Sequence, residues 1–206
     1  MAKLESSFKN MLMSLFGVTF IASAALGLVN DATKDAIAEA EKNKQVKAIA
    51  AVLPEFDHLG STEKALPVNG KDSLEIIPAL DAGNQVIGNA VKTYSYNGFS
   101  GYIEIMVGFN PHGVITGYRV LKHAETPGLG SKMNTWFCDS TRSQQNIIGK
   151  NPGEQKLTVS KDGGSIDAIT AATISSRAFL ESVNQAYNVL NKMYDGVTSA
   201  SSKKGE

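Results

Sequence analysis

The stretch Tyr102-Ile-Glu-Ile-Met-Val-Gly-Phe109, followed by Asn110-Pro-His-Gly113 and Val114-Ile-Thr-Gly-Tyr-Arg-Val-Leu-Lys-His123, decides the fold class. Ile103, Ile105, Val107 and Phe109 fall at every second position with Glu104 on the opposite side, the period-two pattern of a half-buried strand. The turn 110–113 is too short for anything but an antiparallel partner, since a parallel crossover needs a dozen residues or more. Upstream, residues 74–80 and 85–93 flank Asp81-Ala-Gly83-Asn84, a second hairpin signal. Four strands joined by short turns predict an antiparallel sheet, and the lack of strand–helix alternation argues against a doubly wound fold. Two helices are expected to cover the sheet. One lies around 132–141; in the other, Phe179, Val183, Ala186, Tyr187, Leu190 and Met193 recur at spacings of three and four. The expected class is α+β.

Residues 11–29 carry no charge and follow Lys3 and Lys9. As a helix they would span roughly 28 Å, close to the hydrocarbon thickness of a bilayer. A cleaved signal peptide competes, with Ala22-Ser-Ala24 as its small-residue site, but the apolar run continues past it through Leu26, Leu28 and Val29. The reading is therefore an uncleaved transmembrane helix, with the short segment 1–10 held in the cytoplasm by its lysines. Residues 31–53 are rich in Ala, Lys and Glu and predict a further helix that Pro54 ends, with Ile37, Ala40, Ile49 and Leu53 on one side. The connecting segment 30–69 closes with a loop through Pro67, Asn69 and Gly70. A globular domain is expected over 70–195, and the small, polar residues 196–206 read as a disordered tail.

The chain has 206 residues, with 20 basic residues balancing 20 acidic ones, and no basic patch interleaved with aromatics that would suit nucleic acid. A lone cysteine, Cys138, excludes an intrachain disulfide or a cysteine-built metal site and reads as a small buried hydrophobe. His58, His112 and His123 lie far apart without ligand-like spacing. Neither a glycine-rich nucleotide fingerprint, a phosphate loop nor a nucleophile elbow is present.

Two segments can carry chemistry. Glu125-Thr126-Pro-Gly128-Leu129-Gly130 follows the fourth strand and forms a tight, backbone-exposing loop, suited either to a flat ligand or to a plain strand-to-helix connection. Asp167-Ala-Ile-Thr170-Ala171-Ala172-Thr173-Ile-Ser175-Ser176 opens the last helix. Unpaired N–H groups and the helix dipole favour a phosphate there, and Ala171 and Ala172 leave room for it. The same residues also support a simpler reading, in which Thr170 or Thr173 caps the helix.

These two segments, with Gly98-Phe-Ser-Gly101, Tyr102–Phe109 and Gly113-Val-Ile-Thr-Gly117, resemble the RnfG/NqrC family of FMN-carrying subunits in order and spacing from about residue 70 to 195. The resemblance is stronger to Rnf complexes than to the NqrC-like subunit of sodium-translocating NADH:quinone reductase. It implies a half-barrel-like FMN-binding domain on the extracytoplasmic side of the inner membrane. It also implies an electron-transfer role among other membrane subunits of a ferredoxin:NAD oxidoreductase complex, without independent catalysis. It further implies covalent FMN, joined as a phosphoester to Thr173 by a separate flavin transferase that uses FAD. Thr170 takes the first motif position, and Ala171 stands where glycine is more usual. Residues 125–130 should then border the isoalloxazine ring with Leu129 packed on it, Thr170 to Ser175 should surround the phosphate, and Lys132 is a candidate cation toward reduced flavin. Trp136 and Tyr102 could stack on the ring, although large aromatics suit the core. The remaining alternatives are an anchored binding or assembly module without flavin and a standalone FMN-binding reductase domain outside any Rnf assembly.

Overall fold

The structure, a computed structural model, describes residues 7–68 and 70–202, with side chains through Tyr194. Residues 1–6 of the expected cytoplasmic segment and Asn69 of the expected loop lie outside the described residues. The chain divides into two compact units, one ending at Lys44 and one beginning at Gln45.

Helix α1 (Phe8–Val52) is continuous where the sequence predicts a membrane segment followed by a separate helix. Asn30 and Asp31 do not break it, because good helix formers without Gly or Pro follow them. The hydroxyls of Thr19 and Thr33 donate to carbonyls one turn back, Leu15 O at 2.9 Å and Val29 O at 2.8 Å. Among the described residues this is the one helix long and apolar enough to cross a membrane.

In the second unit, β1 (His58–Leu59), β2 (Glu63–Ala65), β3 (Leu74–Leu80), β4 (Val86–Gly98), β5 (Gly101–Phe109) and β6 (Ile115–His123) form one antiparallel sheet. Its order is β1-β3-β4-β5-β6, with β2 also on β3. The β4 strand runs past the expected Thr93 to Gly98, where Gly98-Phe99-Ser100-Gly101 reverses the chain with Gly101 at φ +95°. Register shifts at Ala79/Leu80, Ser95/Gly98, Glu104/Ile105 and Gly108/Phe109 bend the sheet into a half-barrel.

The alternating residues read from β5 face the core as expected. Ile103, Ile105, Val107 and Phe109 pack with Phe179, Val183, Ala186 and Leu190 of α3 (Thr173–Ser202). Each such buried Ile, Val, Leu or Phe side chain contributes about 1.5–3 kcal/mol. The opposite face, with Ile77, Ala90 and Met106, is covered by Ala48, Ile49 and Val52 from the last turns of α1. Gly108 pairs with Gly117 there, and a Cβ on Gly108 would run into the Val52 carbonyl. The Thr116 hydroxyl donates to that carbonyl at 2.5 Å, satisfying an acceptor that the helix end leaves open.

The helix expected at 132–141 is shorter: a 3-10 turn over Gly130–Lys132 leads into α2 (Met133–Trp136). Asp139 ends it by accepting the Thr141 N–H at 3.0 Å and hydroxyl at 2.6 Å, a local turn that competes with the helix. Buried Asn184 pins the segment before α3. It accepts the Leu157 N–H at 3.0 Å and donates to the Leu157 carbonyl at 2.8 Å. The backbone of α3 continues to Ser202, into the segment read as a tail; residues 203–206 lie outside the described residues.

Candidate functional site

Helix α3 leaves a turn over 169–172, in which the Ala172 N–H donates to Ile169 O at 2.9 Å and Ala171 sits at φ +60°. The third position of such a turn favours glycine, and an alanine there is strained. Ser176 holds the turn closed: its hydroxyl accepts the Ile169 N–H at 2.9 Å and donates to Ala172 O at 2.9 Å. Ala172, rather than a threonine, occupies the position before the first helical residue, and among the described residues neither Thr170 nor Thr173 accepts a first-turn N–H. The threonine-cap reading therefore fails. Among the described residues, the N–H groups of Thr173, Ile174 and Ser175 meet no acceptor.

The loop after β6 comes up against this helix start. Glu125 is only 4% exposed; its Oε1 accepts the Ser100 N–H at 3.0 Å and its Oε2 the Ser175 hydroxyl at 2.6 Å. Two glycines make room for the carboxylate. A Cβ on Gly98 would lie 2.6 Å from Oε1, and one on Gly130 2.5 Å from Oε2. His123 Nδ1 accepts the Glu125 N–H at 3.2 Å and so fixes the start of the loop. Farther along, Gly128 at φ +76° donates its N–H to the Ser131 hydroxyl at 2.9 Å, and Thr126 O accepts from Leu129 and Ser131.

Between the loop and the helix lies a cavity of about 330 Å³ lined by Phe99, Glu125, Thr126, Leu129, Gly130, Ala171, Ala172, Thr173, Ile174 and Ser175. Phe99 (68% exposed), Ile174 (48%) and Leu129 (39%) leave apolar surface open around it. A concave apolar site with a few convergent polar groups is the usual form of a cofactor pocket.

Eight of the residues expected to bind thus come together: Glu125, Thr126, Leu129, Gly130, Ala171, Ala172, Thr173 and Ser175. Thr170 is exposed and lies outside the cavity, Gly128 shapes the loop without lining it, and Lys132 is exposed beyond it. Tyr102 stacks on Tyr94 and donates to Glu104 at 2.9 Å, while Trp136 donates to Asp167 O at 2.9 Å; neither lines the cavity. Cys138 is half-buried at the core's margin rather than inside it.

Phe99 and Ile174 were not singled out as cavity residues by sequence, although an aromatic between two turn glycines and an isoleucine off the helix's apolar stripe are signals of exposure with a purpose. Lys161 gave no signal at all. It sits on a 3-10 turn (Ser160–Asp162) with its Nζ 3.4 Å from the Thr173 hydroxyl oxygen. Beside it, Arg177 grips Asp162 through two bonds of 2.7 Å, which hold the Asp162 carboxyl below its ordinary range and the guanidinium above its own.

A family model described as FMN-binding domain matches residues 98–188, a range that contains every cavity residue. The chain is 33% identical to the G subunit of the ion-translocating oxidoreductase complex of Shewanella amazonensis, over 88% of this chain and 86% of that protein. It is 31% identical to the G subunit of the Na(+)-translocating ferredoxin:NAD(+) oxidoreductase complex of Acetobacterium woodii, over 87% and 89%. Among solved structures, NqrC of Shewanella oneidensis superposes with a TM-score of 0.45 at 20% identity, covering 61% of this chain and 64% of that one.

Proposed function

The chain belongs to the family of G subunits of ion-translocating oxidoreductase complexes, and we propose that it is the membrane-anchored electron-transfer subunit that carries FMN, joined as a phosphoester to Thr173. The observation that carries this reading is the placement of Thr173 at the rim of the cavity, on the first turn of α3.

The residues present fit the group. A phosphate on the Thr173 hydroxyl would meet the open N–H groups of 173–175 and the positive end of a long helix, together worth roughly 0.3–1 kcal/mol or more. Phe99, Leu129 and Ile174 offer apolar surface that would take a flat ring. Gly130 leaves the loop backbone bare at the cavity wall, and Glu125, fixed by Ser175, places a buried carboxyl beside it. Flavin, when bound, supplies one- and two-electron transfer; the chain's own groups near the ring set its potential. A secondary hydroxyl needs activation to act as a nucleophile, so attachment is assigned to a separate flavin transferase with FAD as donor.

The apolar part of α1 serves as the anchor, with Lys9 on the cytoplasmic side and the sheet domain on the extracytoplasmic side of the inner membrane. The other membrane subunits of an Rnf-type complex are its electron-transfer partners. Denatured, gel-separated protein from cells that contain the transferase should keep flavin fluorescence under ultraviolet light, and Thr173→Ala should lose it. Fluorescence that persists in that variant would overturn the attachment site.

A further inference from the structure

We propose that Lys161 is the cation that receives the phosphoryl group at Thr173, binding first the pyrophosphate of an incoming flavin dinucleotide and then the finished phosphodiester. This rests on the reading of Thr173 as the attachment point. Lys161 Nζ already lies 3.4 Å from the oxygen that would be modified. It is free for this role: among the described residues no carboxylate lies within ion-pair reach of it. The neighbouring cation is engaged, because Arg177 Nε and Nη2 each donate to the Asp162 carboxylate at 2.7 Å.

The backbone holds Lys161 in place. Its turn is closed by Ser160 N–H to Ile166 O at 2.7 Å, Ile166 N–H to Thr158 O at 3.1 Å, and Gly163 at φ +81°. Three residues beyond that closure stands Ile169, whose N–H is held by Ser176 of α3. Lys161 and Thr173 are thus fixed to each other through two short bonded segments. Because the ammonium donates to the Thr173 oxygen, the hydroxyl hydrogen must point elsewhere, leaving it open to an external base.

The transfer balances as follows in bonds and protons. A bond forms between Thr173 Oγ1 and the flavin-side phosphorus, while the phosphoanhydride bond of the dinucleotide breaks. The nucleoside monophosphate leaves, and the hydroxyl proton passes to a base of the transferase. No electrons change hands. An ammonium beside the reacting oxygen offsets the charge of the pyrophosphate and of the product diester, as lysines do at phosphate sites.

The test follows mass gain with time after full-length protein is mixed with transferase and FAD, for wild type, Lys161→Ala, Lys161→Arg and Asp162→Asn, with the apo melting temperature as a fold check. Lys161→Ala should be modified about tenfold more slowly while melting within a degree or two of wild type, and Lys161→Arg should recover most of the rate. Asp162→Asn, which releases Arg177, should keep or raise it. Equal rates for wild type and Lys161→Ala would overturn the role of Lys161 and leave the Thr173 reading intact. A wild type that gains no mass would instead overturn the attachment on which the proposal rests.

Discussion

The Ser175 hydroxyl donates to Glu125 Oε2 at 2.6 Å, and this bond ties the loop after β6 to the first turn of α3 at the wall of the cavity. It is the contact that makes one site of two segments 50 residues apart. Removing the serine leaves one oxygen of a buried carboxylate without its donor. Ser175→Ala should therefore cost about 1–3 kcal/mol in denaturant unfolding of the apo protein. With Glu125→Ala added, the loss should be smaller than the sum of the two single losses, because the unpaired buried acceptor is gone. Additive losses would mean that the pair is not coupled.

Ala171 holds φ +60° in the turn that delivers Thr173. Glycine takes that conformation without a Cβ penalty, at some cost in chain entropy. Ala171→Gly should stabilise the domain by about 0.5–1 kcal/mol, and Ala171→Val should destabilise it by more. A destabilising glycine would contradict the strained turn.

Gly108 and Gly117 clear the ground on which the end of α1 rests. Gly108→Ala puts a methyl against the Val52 carbonyl and should cost about 1–3 kcal/mol, as overpacking does elsewhere. Thr116→Val removes the hydroxyl from the same carbonyl and should cost about 1 kcal/mol. Thermal melting of the full chain reads both, and wild-type melting of Gly108→Ala would show that α1 does not seat there.

Burial, with Cys138 nearby, pushes the Tyr118 hydroxyl well above its ordinary range; burial and the bond to Glu104 do the same for Tyr102. The folded state therefore keeps protons that the unfolded chain releases near pH 10. Their contribution is full below about pH 10 and is lost as the pH rises from there toward the folded values. Unfolding free energy followed from pH 8 to 11 should fall beyond about pH 10, and Tyr102→Phe should flatten the decline. A flat profile in wild type would contradict the sign.

Much of the sheet was legible because period two and short turns act locally. Ile103 to Phe109 identified both the strand and its buried face, and the 110–113 turn identified its partner. The length of β4 was not legible, since Gly98-Phe99-Ser100-Gly101 reads as a turn without saying how far pairing reaches toward it. The helix after Gly130 was overread because Asp139 offers Thr141 a better local bond than the helix does. In the candidate site, the motif residues Glu125, Leu129, Thr173 and Ser175 line one cavity. Lys132 shares their stretch but does not line the cavity. Lys161 stayed hidden because only the Ser160–Ile166 closure, a tertiary event, carries it to Thr173.

The decisive measurement is the intact mass of the protein isolated from its native host, beside the Thr173→Ala variant isolated in the same way. Wild type should exceed its bare sequence by one FMN less one water, and Thr173→Ala should weigh only its sequence. An unmodified wild type, or an equal increment on the alanine variant, would contradict covalent FMN at Thr173.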